Sequence, residues 1–121
     1  MAHCYSLVHL TNINCPPPEF IRTAAAAGYD AVSLRTIPLG LPGERPYDLA
    51  HDPQLMRETR RALEETGLSY RDTEIARIAD GVDVRDYEPA LAAAAEMGVH
   101  QITTNIWTAD KGRYTEQFVK L

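Results

Sequence analysis

The sequence has no long apolar run, no signal-like start and few cysteines, and each absence excludes a class of protein. No apolar stretch approaches the ~20 residues that a membrane-spanning helix needs. The first ten residues, MAHCYSLVHL, lack the charged start and long apolar core of a secretory signal. Cys4 and Cys15 form no CxxC pair and no metal-ligand spacing. We therefore expect a cytoplasmic protein with two reduced thiols, while a disulfide between them stays open.

A basic face and the glycine signatures of nucleotide binding are also missing. The net charge is −5, and acidic and basic residues are interspersed. No GxGxxG follows the first predicted strand, and no GxxxxGK[ST] occurs. We therefore expect neither a nucleic-acid partner nor a membrane partner, and the nucleotide-binding doubly wound folds lose their usual signature.

What the sequence does contain is a repeated pattern of helix, glycine and strand. The segments FIRTAAAAGYDAVSLR, TRRALEETGLSYRDTE and LAAAAEMGVHQITTN share it. Gly28, Gly67 and Gly98 stand where a helix would need a left-handed residue after its last turn. Helix starts agree with this pattern, because Asp52 precedes Pro53 and Asp86 precedes the third helix.

Four strands are predicted, with helices between them. They span residues 4–10, 31–35, 69–76 and 101–107, and RYTEQFVKL begins a fourth helix. Strict alternation implies parallel strands with helical crossovers. We interpret residues 1–121 as a single α/β domain, the N-terminal half of a TIM-type parallel (β/α)8 barrel with about four βα units. A truncated barrel and a half-barrel that pairs with a second copy both stay open.

The ends of these strands carry the candidate site residues. In an α/β barrel the active site lies at the carboxyl ends of the strands. His9, Arg35 and Glu74 lie near the ends of the first three strands, and Asn105 and Trp107 close the fourth. We predict that Glu74 is catalytic and that the other four bind substrate.

Glu74 is the strongest candidate, because a buried ionised carboxylate needs a compensating cation, donor or metal. Asp72, two residues earlier, is expected to be a structural hydrogen-bond acceptor. The structural alternative for Arg35 is an ion pair with Asp72 or Glu44. His9 could equally be a core histidine.

Asn105 and Trp107 have structural alternatives too, as a loop cap and a plug at the barrel rim. The long segment TIPLGLPGERPYDLAHDP, residues 36–53, is rich in proline and glycine and predicts either a lid over the site or a simple cover. Its polar candidates are Glu44, Arg45, Tyr47 and His51.

The segments AAAAGYDAVSLR, TGLSYRDTEIARI and LAAAAEMGVHQITT resemble the N-terminal half of xylose isomerase-like TIM-barrel proteins, the sugar phosphate isomerases and epimerases. The resemblance runs along nearly all 121 residues. One departure is Ser33, where many members have Glu.

The resemblance implies a metal-dependent sugar or sugar-phosphate isomerase or epimerase. It implies a divalent metal (Mn, Mg, Zn or Co) whose ligands would lie beyond residue 121, so this chain would be incomplete for catalysis. A sugar or polyol is the expected substrate, and a homo-oligomer stays open. One alternative is a dehydratase of a polyol or cyclic keto-acid, and another is a non-catalytic half-barrel that acts as a homodimeric binding module.

Overall fold

The computed structural model describes residues 2–121 and places helices against a four-stranded parallel sheet in the order β1-β2-β3-β4. All three neighbouring strand pairs are parallel. The predicted parallel sheet is confirmed, and its closure into a barrel stays a prediction. The strands are β1 (Ser6–Val8), β2 (Ala31–Arg35), β3 (Ser69–Ala79) and β4 (Ile102–Trp107).

Four α-helices connect or follow the strands. They are α1 (Pro17–Ala26), α2 (Pro53–Thr66), α3 (Glu88–Glu96) and α4 (Lys111–Lys120). Asp52 caps α2 as predicted, because its carboxylate accepts a hydrogen bond of 3.0 Å from the Leu55 amide. None of the helices within residues 2–121 is long and apolar enough to cross a bilayer.

The three predicted C-terminal glycines have the left-handed backbone that their positions require. The φ angles of Gly28, Gly67 and Gly98 are 87°, 71° and 88°. A residue with a Cβ is disfavoured in this conformation, so glycine ends each helix and turns the chain toward the next strand.

Several element boundaries differ from the prediction. β1 runs only from Ser6 to Val8, where a 3-10 helix (His9–Asn12) starts, and β4 begins one residue later than predicted, at Ile102. β3 runs three residues further than predicted, to Ala79. Asp86 does not cap α3; it lies inside a 3-10 helix (Val84–Tyr87), whose start is capped by Asp83.

One face of the sheet forms the hydrophobic core. Val32 and Leu34 point to this face, since successive side chains of a strand alternate. Side chains of α1, α2 and α3 pack against them. The core cluster consists of Phe20, Ile21, Ala24, Val32, Leu34, Ala62, Tyr70, Ala94 and Val99.

The long strand β3 is irregular at two points. Its pairing with β2 skips Arg71, because Val32 pairs with Tyr70 and Ser33 pairs with Asp72. Its pairing with β4 skips Ile75, and the Glu74–Ile75 peptide bond is cis. Each skipped residue resets which side chains face the core.

Candidate active site

The face of the sheet opposite the core carries a set of polar side chains from β2, β3 and β4, which we call the polar face. Strand pairing and alternation place them together. Arg35 pairs with Glu74, Glu74 with Thr103, and Arg77 with Asn105. The polar face consists of Ser33, Arg35, Asp72, Glu74, Arg77, Thr103, Asn105 and Trp107.

Asp72 joins three strands of this face. Its carboxylate accepts hydrogen bonds from the Ser33 hydroxyl on β2 at 2.7 Å and from the Thr103 hydroxyl on β4 at 3.1 Å. The predicted structural role of Asp72 as an acceptor is confirmed. The small hydroxyl of Ser33 fits this role directly, since it donates to the neighbouring carboxylate.

Paired residues on neighbouring strands form rows across the polar face, and Arg35 and Glu74 lie in the row after that of Ser33 and Asp72. Both Glu74 and Arg35 are almost fully buried. Their exposed fractions are 6% and 8%. The Arg35 Nε and Glu74 Oε1 atoms are 3.9 Å apart, which is an ion pair but too long for a hydrogen bond. Arg35 therefore pairs with neither Asp72 nor Glu44.

Burial raises the pKa of Glu74 above its ordinary value. The Arg35 guanidinium opposes this shift, and the Asp72 carboxylate adds to it. A carboxylate with a raised pKa is a stronger base than an ordinary glutamate. Glu74 thus has the electrostatic setting of a general acid and base.

His9 lies behind Arg35, fully buried, and both of its ring nitrogens are bonded to backbone. Nδ1 accepts from the Arg35 amide at 3.1 Å, so Nε2 carries the proton and donates to the Cys15 carbonyl at 2.8 Å. Its ring stacks on Tyr47, with 5.7 Å between the ring centroids. Burial lowers the pKa of His9. The structure places this imidazole as a neutral support of the Arg35 backbone, and the predicted substrate contact stays a prediction.

Arg77, Asn105 and Trp107 form the third row of the polar face. The guanidinium carbon of Arg77 lies 5.1 Å from the centre of the Trp107 ring, a cation–π contact. Asn105 is the strand partner of Arg77. Trp107 is 57% exposed, so one side of this row is open to solvent.

Buried polar atoms without a hydrogen-bond partner are concentrated on this face. Native proteins pair nearly all such atoms, so each exception needs a reason. Within residues 2–121, five of the six belong to this side of the sheet. They are Ser6 Oγ, Arg35 Nε, Glu74 Oε1, Arg77 Nε and Asn105 Oδ1, and the sixth is Thr59 Oγ1 on α2.

The structure brings four of the five predicted site residues onto one face and adds Arg77, which the sequence analysis missed. Strict alternation of side chains from Glu74 would place Arg77 on the core face. The skipped residue at Ile75 reverses this assignment. The sequence did contain a signal against strict alternation, because that pattern would bury an arginine in the core and turn Ile78 away from it. An arginine is rarely buried in a core, and Ile78 is in fact fully buried.

The long loop after β2 is attached to the body of the protein. Tyr47 and Leu49 are buried, and the Tyr47 hydroxyl donates to the Asn14 carbonyl. The Glu44 carboxylate accepts from the backbone amides of Leu39 and Leu41. These contacts favour a fixed cover over a moving lid.

The polar residues described here do not by themselves make a metal centre. Residues 2–121 contain no group of three or more His, Cys, Asp or Glu side chains placed to hold an ion. The divalent metal implied by the resemblance therefore stays a prediction.

Comparison with solved structures gives a likeness in fold. No family model matches the chain, and no curated protein matches it. The crystal structure of apo 3-keto-D-glucoside 4-epimerase, YcjR, from E. coli matches with a TM-score of 0.57 and 18% identity. The match covers 83% of this chain and 37% of the epimerase chain. At this identity the likeness concerns the fold: the chain matches part of a larger α/β enzyme.

Proposed function

We propose that this chain carries part of the active site of a sugar isomerase or epimerase, and that Glu74 moves a proton next to a carbonyl group. The observation that carries the proposal is the buried Glu74 carboxylate, with its raised pKa and with Oε1 free of hydrogen bonds. Because the chain spans 37% of the epimerase that it resembles in fold, the complete reaction is part of the proposal.

The proposed step begins with a keto-sugar whose reactive C–H bond faces Glu74. The carboxylate removes the proton, the electron pair of the C–H bond forms a carbon–carbon double bond, the carbonyl π pair moves onto oxygen, and an enediolate forms. The Arg35 guanidinium, beside Glu74, would stabilise the negative charge that develops on oxygen. Return of the proton from Glu74 to the neighbouring carbon, with transfer of the hydroxyl proton to the former carbonyl oxygen, completes an isomerisation. An epimerisation needs a second acid that protonates the opposite face of the enediolate, and Glu74 is then one of two acid–base groups.

Two features support a sugar as the substrate. A solved structure similar in fold is that of a 3-keto-D-glucoside 4-epimerase. The polar face also combines paired polar groups with an exposed indole, and aromatic rings commonly pack against the apolar faces of sugars. The xylose isomerase-like resemblance agrees with both.

The dehydratase alternative starts with the same proton abstraction and differs in its next step, the loss of a hydroxyl group as water.

The binding-module alternative is favoured by a different observation, the apolar side chains exposed on the edge strand β4. Ile102 and Ile106 are 39% and 48% exposed. An oligomer formed through these residues is compatible with the proposed chemistry.

The test is hydrogen exchange at the carbon next to the carbonyl. The chain is incubated with a 3-keto-glucoside in D₂O, with and without Mn²⁺, and the loss of the C–H signal is followed by NMR. Proton removal needs Glu74 and Arg35, which this chain contains, so we expect exchange above the buffer rate even though the resemblance implies that the complete reaction needs residues beyond 121. Glu74→Gln should slow the exchange by about 10²–10⁴-fold, the usual contribution of a general base. Glu64→Gln, an exposed glutamate on α2, is the matched control.

Two outcomes would contradict the proposal. One is exchange at the buffer rate in all samples, and the other is a Glu74→Gln variant that exchanges as fast as the unmodified chain. Appearance of a dehydrated product would instead identify the lyase alternative.

A further inference from the structure

The row of Arg77, Asn105 and Trp107 has a feature that the proposed proton transfer does not use. Arg77 Nε is a buried donor without a partner, and Asn105 Oδ1 is a buried acceptor without a partner. The two residues are strand partners, yet they do not bond to each other. A hydroxyl group satisfies both at once, because it accepts from the guanidinium and donates to the amide oxygen.

The charges of the polar face favour an uncharged ligand. Two arginines, Arg35 and Arg77, face two carboxylates, Asp72 and Glu74, so the formal charges cancel. A phosphate or carboxylate group offers only acceptors and would leave Asn105 Oδ1 unsatisfied at a cost. A neutral hydroxyl carries no such cost.

The row lies at a useful distance from Glu74. Thr103 and Asn105, the strand partners of Glu74 and Arg77, are consecutive same-face residues of β4, which separates the rows by roughly 7 Å. This distance is close to the length of one pyranose ring with its hydroxyl groups. The exposed indole of Trp107 lies against Arg77 and offers an apolar surface to the C–H face of such a ring.

We infer that Arg77, Asn105 and Trp107 form a distal subsite that binds a hydroxyl group and the ring face of an uncharged pyranose while its reactive carbon lies at Glu74. The inference rests on the proposed function for the position of the reactive carbon. The subsite itself is a binding site, so it can be tested without turnover.

The sequence supplies a direct probe, because Trp107 is its one tryptophan. Indole fluorescence is titrated with D-glucose, with the open-chain polyol D-glucitol and with D-glucose 6-phosphate. We expect a saturable change with glucose, and a weaker one with glucitol, which lacks the ring face. The 6-phosphate should bind no more tightly than glucose.

Variants separate the subsite from the catalytic group. Arg77→Met and Asn105→Leu each remove one hydrogen bond and should weaken glucose binding about tenfold or more. Arg61→Met, an exposed arginine on α2, is the control and should bind as the unmodified chain does. Far-UV circular dichroism tests whether each variant is folded. If Arg77→Met does not fold, Asn105→Leu provides the test.

The outcomes distinguish this inference from the proposed function. Glucose binding that survives Glu74→Gln but not Asn105→Leu supports the subsite even where no hydrogen exchange occurs. If the unmodified chain catalyses hydrogen exchange but the Arg77 and Asn105 variants bind glucose normally, the subsite is overturned and the proposed function is retained. Tighter binding of the 6-phosphate, or no fluorescence change with any sugar, would also overturn it.

Discussion

His9 shows how a candidate ligand residue can serve the backbone instead. Its two ring nitrogens link the Arg35 amide to the Cys15 carbonyl, so it joins the end of β2 to the segment before α1. Removing the ring would leave two buried backbone groups without partners and a cavity beside Phe20.

We predict that His9→Ala lowers the free energy of unfolding by about 2–4 kcal/mol. Urea denaturation at pH 7.5 measures this loss. His100→Ala, at an exposed histidine, is the control and should change stability little. Equal stability of the two variants would show that the imidazole is not a structural link.

The same histidine predicts a pH dependence. Burial lowers the pKa of His9 in the folded state, so the unfolded chain takes up this proton first as the pH falls. Stability should therefore decrease as the pH falls below the ordinary histidine pKa of about 6.5. The decrease in melting temperature between pH 7.5 and 5.5 should be smaller in His9→Gln than in the unmodified chain.

Glu74 predicts a pH dependence of stability with the opposite sign. Its folded-state pKa is raised, so between the ordinary glutamate value of about 4.3 and the raised value the folded state binds more protons. Its contribution to stability thus falls as the pH rises through this window. We predict that Glu74→Gln is no less stable than the unmodified chain at pH 7, and thermal melts of both proteins from pH 4 to 8 test it. A marked loss at pH 7 would mean that the Arg35–Glu74 ion pair is structural.

At the scale of the elements, Asp72 ties β2, β3 and β4 together through two hydroxyl groups. Hydrogen bonds to a charged acceptor contribute about 1.5–3 kcal/mol each when shielded from water, and the solvent-exposed bond from Thr103 contributes less than the part-buried bond from Ser33. We predict that Asp72→Ala destabilises the chain by about 2–3 kcal/mol, measured by chemical denaturation, and that Ser33→Ala costs less, because it removes one bond. The double variant should cost less than the sum of the two; strict additivity would contradict a shared hydrogen bond.

The sequence predicted the elements well where a local signal fixes them. The glycines after the helices and the Asp52-Pro53 start act through backbone geometry within a few residues, and the structure has them as predicted. β1 was predicted too long, because its apolar pattern continues through Leu10 while the buried His9 turns the chain. The conformation and burial of His9 depend on contacts with residues distant in sequence, and the local sequence pattern does not contain this information.

The arrangement of the candidate residues was predicted in part for the same reason. The expected strand ends brought Arg35 and Glu74 side by side, since Glu74 pairs with the last residue of β2, and placed Trp107 at the end of β4. Glu74 itself lies in the middle of β3 and not near its end as predicted, because this strand continues to Ala79. Arg77 was missed because the irregularity at Ile75 comes from the pairing of β3 with β4, which alternation within one strand does not reveal.

At the scale of the whole molecule, exposed apolar side chains collect along the two edges of the sheet. An unpaired edge strand with apolar neighbours favours association. Five of these side chains belong to β4 and the neighbouring α4. They are Ile102, Ile106, Trp107, Phe118 and Val119.

We predict that the chain self-associates as its concentration rises, measured by light scattering. Ile106→Lys combined with Val119→Lys should shift the population toward monomer. Leu41→Lys, at an exposed leucine in the loop after β2, is the matched control. A monomer at all concentrations would argue against the homodimeric alternative.

The skipped position at Ile75 implies that the faces of β3 depend on how this strand pairs with β4. If Ile75 took a place in the ladder, regular alternation would send Arg77 into the core and would turn Ile78, now fully buried, to the polar face. Deleting Ile75 would instead leave Glu74, Arg77 and Ile78 on the faces they now occupy, because Ala76 would follow Glu74 directly. We therefore expect this strand to tolerate the loss of Ile75 better than its incorporation into regular pairing.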